Sequence, residues 1–324
     1  MNTQQLAAGI KDGKRRSVAR ALTLVESSQP DHQRLSLELF EALGAGRRAF
    51  RLGVTGPPGA GKSTIIERIV LNWVEQGCKV AVLAIDPTSQ RTGGSLLGDK
   101  TRMGEIAQHP DVFIRPSPTG EHLGGLGKRT PLMCALLERA GFDRIVVETV
   151  GVGQSEVSAS HLVDCLLLVA LPGAGDEVQG LKRGLMEEVD LVAVNKADLG
   201  GAKASVAVLR SALRVFRREV SVLAVSAQSG EGLEQLYQAL EESSTRSGSL
   251  SEFYFLQQFL VEALTREFVS QSSGWAELQE EVQSGELDLL QALPRLERLV
   301  GEFRGRYIGP TVSTWPSFPS SGLK

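Results

Sequence analysis

One segment of the chain combines glycines, a lysine and a serine in the spacing of a phosphate-binding loop. The pattern G-x-x-x-x-G-K-[ST] is matched in full by Gly56-Pro57-Pro58-Gly59-Ala60-Gly61-Lys62-Ser63. Glycines allow a backbone to wrap around phosphates, and the N–H groups that open the helix continuing through Thr64 point toward them. We expect Lys62 to neutralise charge between the β- and γ-phosphates and Ser63 to offer its hydroxyl to Mg²⁺. The segment predicts a nucleoside triphosphate site.

A second motif, Asn195-Lys196-Ala197-Asp198, has the residue types needed to read a guanine base. The Asp198 carboxylate can accept from both the ring N–H and the exocyclic amine of guanine, whereas adenine offers no such pair of donors. Asn195 is expected to brace the loop and to face the other edge of the base. Ser226-Ala227-Gln228 fits a loop whose backbone N–H groups reach the guanine oxygen, and an ordinary turn fits equally well. Together the motifs predict that GTP is bound and hydrolysed.

Three carboxylates stand where a metal ion and an attacking water would need them. Asp86 and Glu148 each follow an apolar run, and Asp99 lies in the loop after Asp86. Carboxylate oxygens suit Mg²⁺ and can orient water. The second acidic motif of such proteins usually reads Asp-x-x-Gly, and here it reads Glu148-Thr149-Val150-Gly151. We predict Ser63, Asp86, Asp99 and Glu148 as the metal site, and Lys62 and Glu148 as catalytic residues.

Short apolar runs precede most of these motifs and predict the strands that position them. They are Leu52–Thr55, Val80–Ile85, Val112–Ile114, Ile145–Val147, Cys165–Ala170, Leu191–Val194 and Val220–Val225. Longer amphipathic stretches separate most of them, and this alternation is typical of an α/β protein with a mostly parallel sheet flanked by helices. Right-handed crossovers would bring the carboxyl ends of the strands to one edge, where ligands bind. The predicted fold is a P-loop NTPase.

The segments outside the predicted sheet are expected to be helical. We divide the chain into an N-terminal helical extension (1–46), a GTPase domain (47–245) and a C-terminal helical segment with a tail (246–324). Pro30 suits the first turn of the second helix of the extension, and the Ser- and Glu-rich stretch Glu241–Ser251 predicts a linker. Two apolar stripes beyond it predict helices: Phe253, Leu256, Phe259, Leu260, Ala263 and Leu264, then Leu289, Leu293, Leu296 and Leu299, with Pro294 in the middle of the second.

Composition and charge argue against several other classes of protein. The formal net charge of −3 gives no basic field for nucleic acid. The three cysteines and four histidines are scattered without metal-ligand spacing, so we expect reduced, mostly buried thiols in a cytoplasmic protein. The polar start of the chain predicts no signal peptide, and the apolar run Cys165–Ala170 is too short to cross a membrane.

Longer strings around these motifs resemble one known family. They are Asp86-Pro87-Thr88-Ser89, Thr92-Gly93-Gly94-Ser95-Leu96-Leu97-Gly98-Asp99-Lys100-Thr101-Arg102-Met103, Arg115-Pro116-Ser117-Pro118, Val147-Glu148-Thr149-Val150-Gly151-Val152-Gly153-Gln154-Ser155-Glu156 and Leu171-Pro172-Gly173-Ala174-Gly175-Asp176-Glu177-Val178-Gln179-Gly180. From about Leu6 into the C-terminal helices, the sequence resembles the MeaB/ArgK family of GTPase chaperones for adenosylcobalamin-dependent acyl-CoA mutases.

The resemblance implies a partner and an assembly that residue spacing does not reveal. It implies that the partner is methylmalonyl-CoA mutase or a relative, and that the GTPase gates cobalamin delivery and protects or reactivates the mutase. It also implies a homodimer held by the C-terminal helices. The family's metal positions correspond to the four residues named above, and its third switch corresponds to Leu171–Gly184, including Asp176, Gln179 and Lys182.

Two other functions are compatible with a P-loop fold. A kinase would pass the γ-phosphate to a small molecule or protein, and it would need an acceptor pocket and a base that no motif supplies. A nickel-insertion GTPase of the hydrogenase or urease type would need Cys or His ligands, and the isolated cysteines and histidines argue against it. The motifs favour the GTPase chaperone.

Overall fold

Seven parallel strands form the central sheet in the part of the chain that the computed structural model describes. The strands are β1 Phe50–Thr55, β2 Val80–Asp86, β3 Val112–Pro118, β4 Arg144–Glu148, β5 Cys165–Ala170, β6 Leu191–Val194 and β7 Ser221–Ala224. Their spatial order is β3-β2-β4-β1-β5-β6-β7, and every neighbouring pair is parallel. The described residues are 2–27, 29–86, 103–118, 129–149, 160–173, 183–214, 220–244, 264–265, 267–284 and 289–307.

The predicted α/β fold with a parallel sheet is confirmed, and each predicted apolar run overlaps a strand. Strand β5 shows why such runs are informative. Its Leu167 and Val169 belong to one buried apolar cluster and its Leu166 and Leu168 to another, because both faces of the sheet are covered. The strand ends differ from the prediction: β7 is shorter by one residue at each end, and β3 continues to Pro118. Hydropathy marks the buried centre of a strand, whereas its ends depend on hydrogen bonds to a neighbouring strand.

Helices flank the sheet in the described part of residues 1–252, which form the first of two compact units. They are α1 Thr3–Lys11, α2 Arg15–Glu26, α3 Pro30–Leu43, α4 Lys62–Glu75, α5 Gly104–Ala107, α6 Thr130–Arg139, α7 Arg183–Glu188, α8 Ala202–Arg214 and α9 Leu233–Ser244, with a 3₁₀ turn at Ala197–Leu199. Helix α4 buries Ile65, Ile69 and Trp73 on its inner face. Each side chain of this kind contributes about 1.5–3 kcal/mol when fully buried, so α4 is held firmly against the sheet. None of the helices in the described ranges is long and apolar enough to span a membrane.

The parallel arrangement brings the predicted motifs to one edge of the sheet. The phosphate-binding loop follows β1, and the Asn195–Asp198 motif follows β6. Glu148 is the last residue of β4, and the strand register pairs it with Val54 of β1 and with Ala84 of β2. Asp86, the last residue of β2, lies two residues further along that neighbouring strand. The backbone therefore gathers the phosphate, base and acidic motifs at the carboxyl ends of the strands.

Three helices, rather than the two expected, make up the N-terminal extension. Gly13, at a φ of 71°, separates α1 from α2, and Pro30 opens α3 as predicted. These helices are joined to the edge of the sheet by polar contacts. The Arg15 guanidinium donates to the His109 carbonyl at 3.0 Å, and Arg115 of β3 forms an ion pair with Glu26 of α2 at 2.7 Å.

Residues 253–324 form a second compact unit. Its longer described helices are α10 Ser273–Ser284 and α11 Leu289–Tyr307, and residues 267–271 are also helical. Helix α11 continues through Pro294. The Phe268 ring contacts Trp275 and Phe303 edge-on, at centroid distances of 5.8 and 5.6 Å. Within the predicted apolar stripe, Leu264 is exposed, and the stretch 253–263 lies outside the described residues.

The predicted linker begins as a helix, and two of the three cysteines are buried. Helix α9 extends to Ser244, so the first four residues of the predicted linker Glu241–Ser251 are helical and the rest lie outside the described residues. All three cysteines are free, with Cys134 and Cys165 buried and Cys78 partly exposed. Burial raises the pKa of Cys134 and of Cys165 to about 12, so both thiols stay protonated at neutral pH.

Candidate nucleotide-binding site

The phosphate-binding loop needs glycine at two positions because other parts of the protein approach it closely. A Cβ atom on Gly56, whose φ is 143°, would lie 2.1 Å from the carbonyl oxygen of Val169 on β5. Gly61 precedes α4 with a φ of 87°, and a Cβ there would lie 2.4 Å from the Asn195 side-chain nitrogen. Side chains at these positions would push the loop away from β5 and from the guanine motif.

Lys62, the first residue of α4, lies over this loop. Its Nζ atom donates to the carbonyl oxygens of Gly56 at 2.9 Å and Pro57 at 3.2 Å. Burial lowers the pKa of Lys62, and the negative charge of Glu148 acts in the opposite direction. The arrangement places a positive charge where a P-loop holds the β- and γ-phosphates.

Two of the four predicted metal ligands are in side-chain contact. The Ser63 hydroxyl, at the start of α4, donates to Oε1 of Glu148, at the end of β4, over 3.4 Å. Asp86 ends the adjacent strand β2, where the backbone places it at the same edge, and its side chain is outside the described part of the structure. Asp99 lies outside the described residues.

The donor atoms at this position are compatible with a hard cation. The Ser63 hydroxyl and the Glu148 carboxylate supply oxygen ligands, which Mg²⁺ prefers and which it supplements with water and phosphate oxygens. Within the described ranges, no three His, Cys, Asp or Glu side chains cluster in a way that could hold a metal. Mg²⁺ in phosphate-binding sites usually takes its remaining ligands from water and from the substrate phosphates.

Alanine substitution of Glu148 or of Asp86 tests this assignment. Each variant is expected to lose magnesium-dependent hydrolysis by about 10²–10³-fold, because a group that supports transition-state charge is removed. Nucleotide binding should persist in both, since the backbone N–H groups of the loop still hold the phosphates. GTP turnover across a magnesium titration is the measurement, with Asp31→Ala on the surface of α3 as the matched control. Wild-type rates in both variants would remove them from the site.

Asn195 connects the guanine motif to the phosphate-binding loop. Its side-chain nitrogen donates to the Ala60 carbonyl at 2.9 Å, and its side-chain oxygen accepts from the Ala227 backbone N–H at 3.1 Å. Asn195 is 2% exposed, so these bonds are protected from water. The expected bracing role is what this geometry performs. Both polar atoms of the Asn195 side chain have protein partners. The second expectation, that Asn195 faces the base, stays a prediction.

Asp198 stands at the surface of the same edge, on the 3₁₀ turn. Its carboxylate accepts a hydrogen bond from the hydroxyl of Ser226, which is itself buried and accepts from the Ser229 backbone N–H at 3.1 Å. The turn requires Lys196 in a left-handed conformation, with a φ of 57°. The exposed carboxylate is thus oriented by a buried hydroxyl, with one oxygen available to a ligand, and Gln228 lies exposed in the neighbouring turn.

Sequence reasoning missed two polar residues that contact these loops. Arg68 of α4 donates through Nε to the Ala227 carbonyl at 3.0 Å. Ser205 of α8 accepts from the backbone N–H of Gly173 at 2.8 Å. Nothing in the local sequence separates either residue from other polar residues on helices, because both contacts join segments distant in the chain.

The parallel sheet, the P-loop opening α4 and the guanine motif after β6 define a P-loop GTPase. A sequence profile described as "Methylmalonyl Co-A mutase-associated GTPase MeaB" matches residues 18–270. "Probable GTPase Rv1496" of Mycobacterium tuberculosis is 48% identical over 248 residues, 73% of each chain. "GTPase ArgK" of Escherichia coli is 44% identical over 271 residues, 80% of this chain and 81% of that one.

A solved structure agrees with these sequence relatives. "Crystal structure of LAO/AO transport system kinase" has a TM-score of 0.68 and 31% identity, covering 93% of this chain and 99% of that one. The chain belongs to the MeaB family of GTPases associated with methylmalonyl-CoA mutase. It is a guanine-nucleotide-binding enzyme that hydrolyses GTP.

Proposed function

We propose that this GTPase is a chaperone of an adenosylcobalamin-dependent acyl-CoA mutase, either methylmalonyl-CoA mutase or a relative. In this proposal its nucleotide state gates loading of the cobalamin cofactor and protects or reactivates the mutase. Such a chaperone has to transmit its nucleotide state from the bound base and phosphates to a surface that the mutase contacts. The family association supports the identity of the partner, and one hydrogen bond supports the route of transmission.

That hydrogen bond joins the predicted third switch to the helix that follows the guanine motif. The backbone N–H of Gly173, near the start of Leu171–Gly184, donates to the Ser205 hydroxyl at 2.8 Å. Ser205 is 5% exposed, and its hydroxyl also lies 3.3 Å from the carbonyl of Gly201 in the loop after Asp198. A movement of the base-reading loop would therefore reach the first residues of the switch segment through a partly buried contact.

The residues of the site would contribute to hydrolysis in two ways: some would stabilise negative charge on the phosphates, and another would orient the attacking water. Lys62 and the loop N–H groups would stabilise negative charge that develops around the oxygen between the β- and γ-phosphates. Glu148, whose carboxylate lies beside Ser63, would orient water at the γ-phosphate. Mg²⁺, when held by Ser63, Glu148, Asp86 and Asp99, would neutralise phosphate charge. Hydrolysis built on this set needs no acceptor pocket, in contrast to a kinase.

Capture of the partner tests the proposal directly. The full-length chain, loaded with a non-hydrolysable GTP analogue, is used to recover proteins from the native extract, with GDP loading as the control. We expect an adenosylcobalamin-dependent acyl-CoA mutase to be enriched in one nucleotide state over the other. Recovery of no such mutase in either state would contradict the chaperone function and leave the GTPase activity unaffected.

Lys182 is expected to carry the signal between the nucleotide and the mutase. Asp176, Gln179 and Lys182 lie outside the described residues, and their spacing would put them on one face of a helix. Lys182→Ala should remove most of the acceleration of GTP hydrolysis by the mutase, and Gln179→Ala should remove less. Binding of GTP and slow intrinsic hydrolysis should be spared, because a switch acts only through contacts that differ between its two states.

The measurement is the rate of GTP turnover with and without purified mutase. Equal acceleration in wild type and Lys182→Ala would exclude this segment.

We further propose that residues 246–324 hold two copies of the chain together, with Phe253, Leu256, Phe259 and Leu260 as the contact. The separation of residues 253–324 into their own compact unit supports this division. A chain ending at Arg246 is expected to remain folded and to become monomeric, which sedimentation would show. Insoluble protein would instead indicate that the stripe packs on the chain's own GTPase domain.

A further inference from the structure

Arg68 links the helix of the phosphate-binding loop to the turn beside the base-reading site. It lies on α4 six residues after Lys62, which places it about 9 Å further along the helix axis. The half-buried guanidinium donates through Nε to the carbonyl oxygen of Ala227 at 3.0 Å. One rigid helix thus contacts both the loop for the phosphates and the turn beside Asp198.

The carbonyl that Arg68 holds belongs to the same peptide plane as the backbone N–H of Gln228. In a trans peptide the C=O and the N–H point in opposite directions and rotate together. A hydrogen bond from a charged donor to this carbonyl therefore also sets the direction of the Gln228 N–H. The preceding N–H, that of Ala227, donates to the Asn195 side chain at 3.1 Å. Gln228 supplies the next donor in the turn, and its residue is exposed.

The turn is held from both sides by parts of the nucleotide site. On one side, Asn195 connects the Ala227 N–H to the Ala60 carbonyl in the phosphate-binding loop. On the other side, Arg68 connects the Ala227 carbonyl to α4, which begins at the end of that loop. Ala227 is thus connected to the phosphate-binding loop through Asn195 and to α4 through Arg68. These hydrogen bonds, together with the covalent chain, fix the position of the turn relative to the phosphate site.

We propose that Arg68 is a positioning residue for guanine recognition. By holding the Ala227 carbonyl, it directs the Gln228 N–H toward the place where the carbonyl oxygen of a guanine would lie when Asp198 accepts from the ring N–H and the exocyclic amine. Arg68 touches neither the nucleotide nor the reacting atoms in this assignment. In this assignment its effect is specific to one atom of the base, the carbonyl oxygen, which is the acceptor that the Gln228 N–H would meet.

Two nucleotides, one with and one without this oxygen, provide the test. The full-length protein is titrated with GTP and with the triphosphate of 2-aminopurine riboside, which keeps the exocyclic amine and lacks both the carbonyl and the ring N–H beside it. The loss of the ring N–H weakens binding of the analogue equally for wild type and variant, so the comparison of the two proteins isolates the carbonyl oxygen. Arg68→Met keeps an apolar stem of similar length and removes the donor. We expect Arg68→Met to weaken GTP binding about five- to tenfold, the loss of one oriented hydrogen bond, and to change binding of the analogue less than twofold. Arg68→Lys should restore part of the affinity for GTP.

Tyr237→Phe is the matched control for loosened packing at the same place. The Tyr237 hydroxyl donates to the backbone carbonyl of Arg68 at 3.2 Å, so its removal disturbs the contact between α9 and α4 while the guanidinium stays. This control should bind both nucleotides as the wild type does. Equal losses of GTP and analogue in Arg68→Met would show a general role in stability and overturn the proposal, and so would unchanged GTP binding.

Discussion

Lys62→Ala is expected to reduce GTP turnover by about 10³-fold and to weaken nucleotide binding. Lys62 is the cation of the phosphate-binding loop, and its Nζ atom lies within 3.2 Å of the carbonyl oxygens of Gly56 and Pro57. When a triphosphate is bound, the Lys62 ammonium would donate to phosphate oxygens in place of these neutral carbonyls. Hydrogen bonds between two charged groups are stronger than those to a neutral acceptor. Without it, charge that builds up during cleavage of the γ-phosphate has no side-chain counter-ion from the loop.

Single-turnover release of inorganic phosphate measures this effect separately from binding. Lys203→Ala, which removes an exposed lysine from α8, is the control for the change of net charge and should hydrolyse GTP normally. Lys62→Arg is a second useful comparison, because it keeps the charge and changes the geometry. Substantial hydrolysis by Lys62→Ala would show that Lys62 does not have the predicted catalytic role.

Asp198→Asn is expected to lower the affinity for GTP by about 2–3 kcal/mol, roughly 30- to 150-fold. The carboxylate can accept two hydrogen bonds from guanine, and an amide at this position would oppose one donor with another. The Ser226 hydroxyl already contacts Asp198, so the side chain is oriented before the base arrives. A preoriented acceptor loses little conformational entropy on binding, which is why its removal should be costly.

XTP distinguishes altered base reading from simple damage to the site. Xanthine carries a carbonyl where guanine has its exocyclic amine, so an asparagine N–H can donate to it. Asp198→Asn should therefore bind XTP more tightly than the wild type does, while its affinity for GTP falls. Ser226→Ala, which removes the orienting hydroxyl only, should lower GTP affinity less than Asp198→Asn does. Intact GTP binding by Asp198→Asn would show that another group reads the base.

The fold class and the chemistry could be predicted from the sequence because both depend on local patterns. A buried parallel strand such as Cys165–Ala170 must be apolar on both faces, so its composition marks it. The phosphate-binding loop is one continuous segment whose glycines and lysine act together. Since parallel strands end at one edge, even the gathering of the two motifs there follows from the alternation of strands and helices.

The tertiary structure alone decided which side chains meet at that edge. Ser63 and Glu148 are 85 residues apart, and Arg68 and Ala227 are 159 residues apart. Such contacts depend on the order β3-β2-β4-β1-β5-β6-β7, on the register of each strand pair and on the rotation of α4 against the sheet. A shift of one residue in a strand turns each side chain to the opposite face. Local composition is insensitive to that shift, and so Arg68 and Ser205 could be recognised only where the folded chain places them.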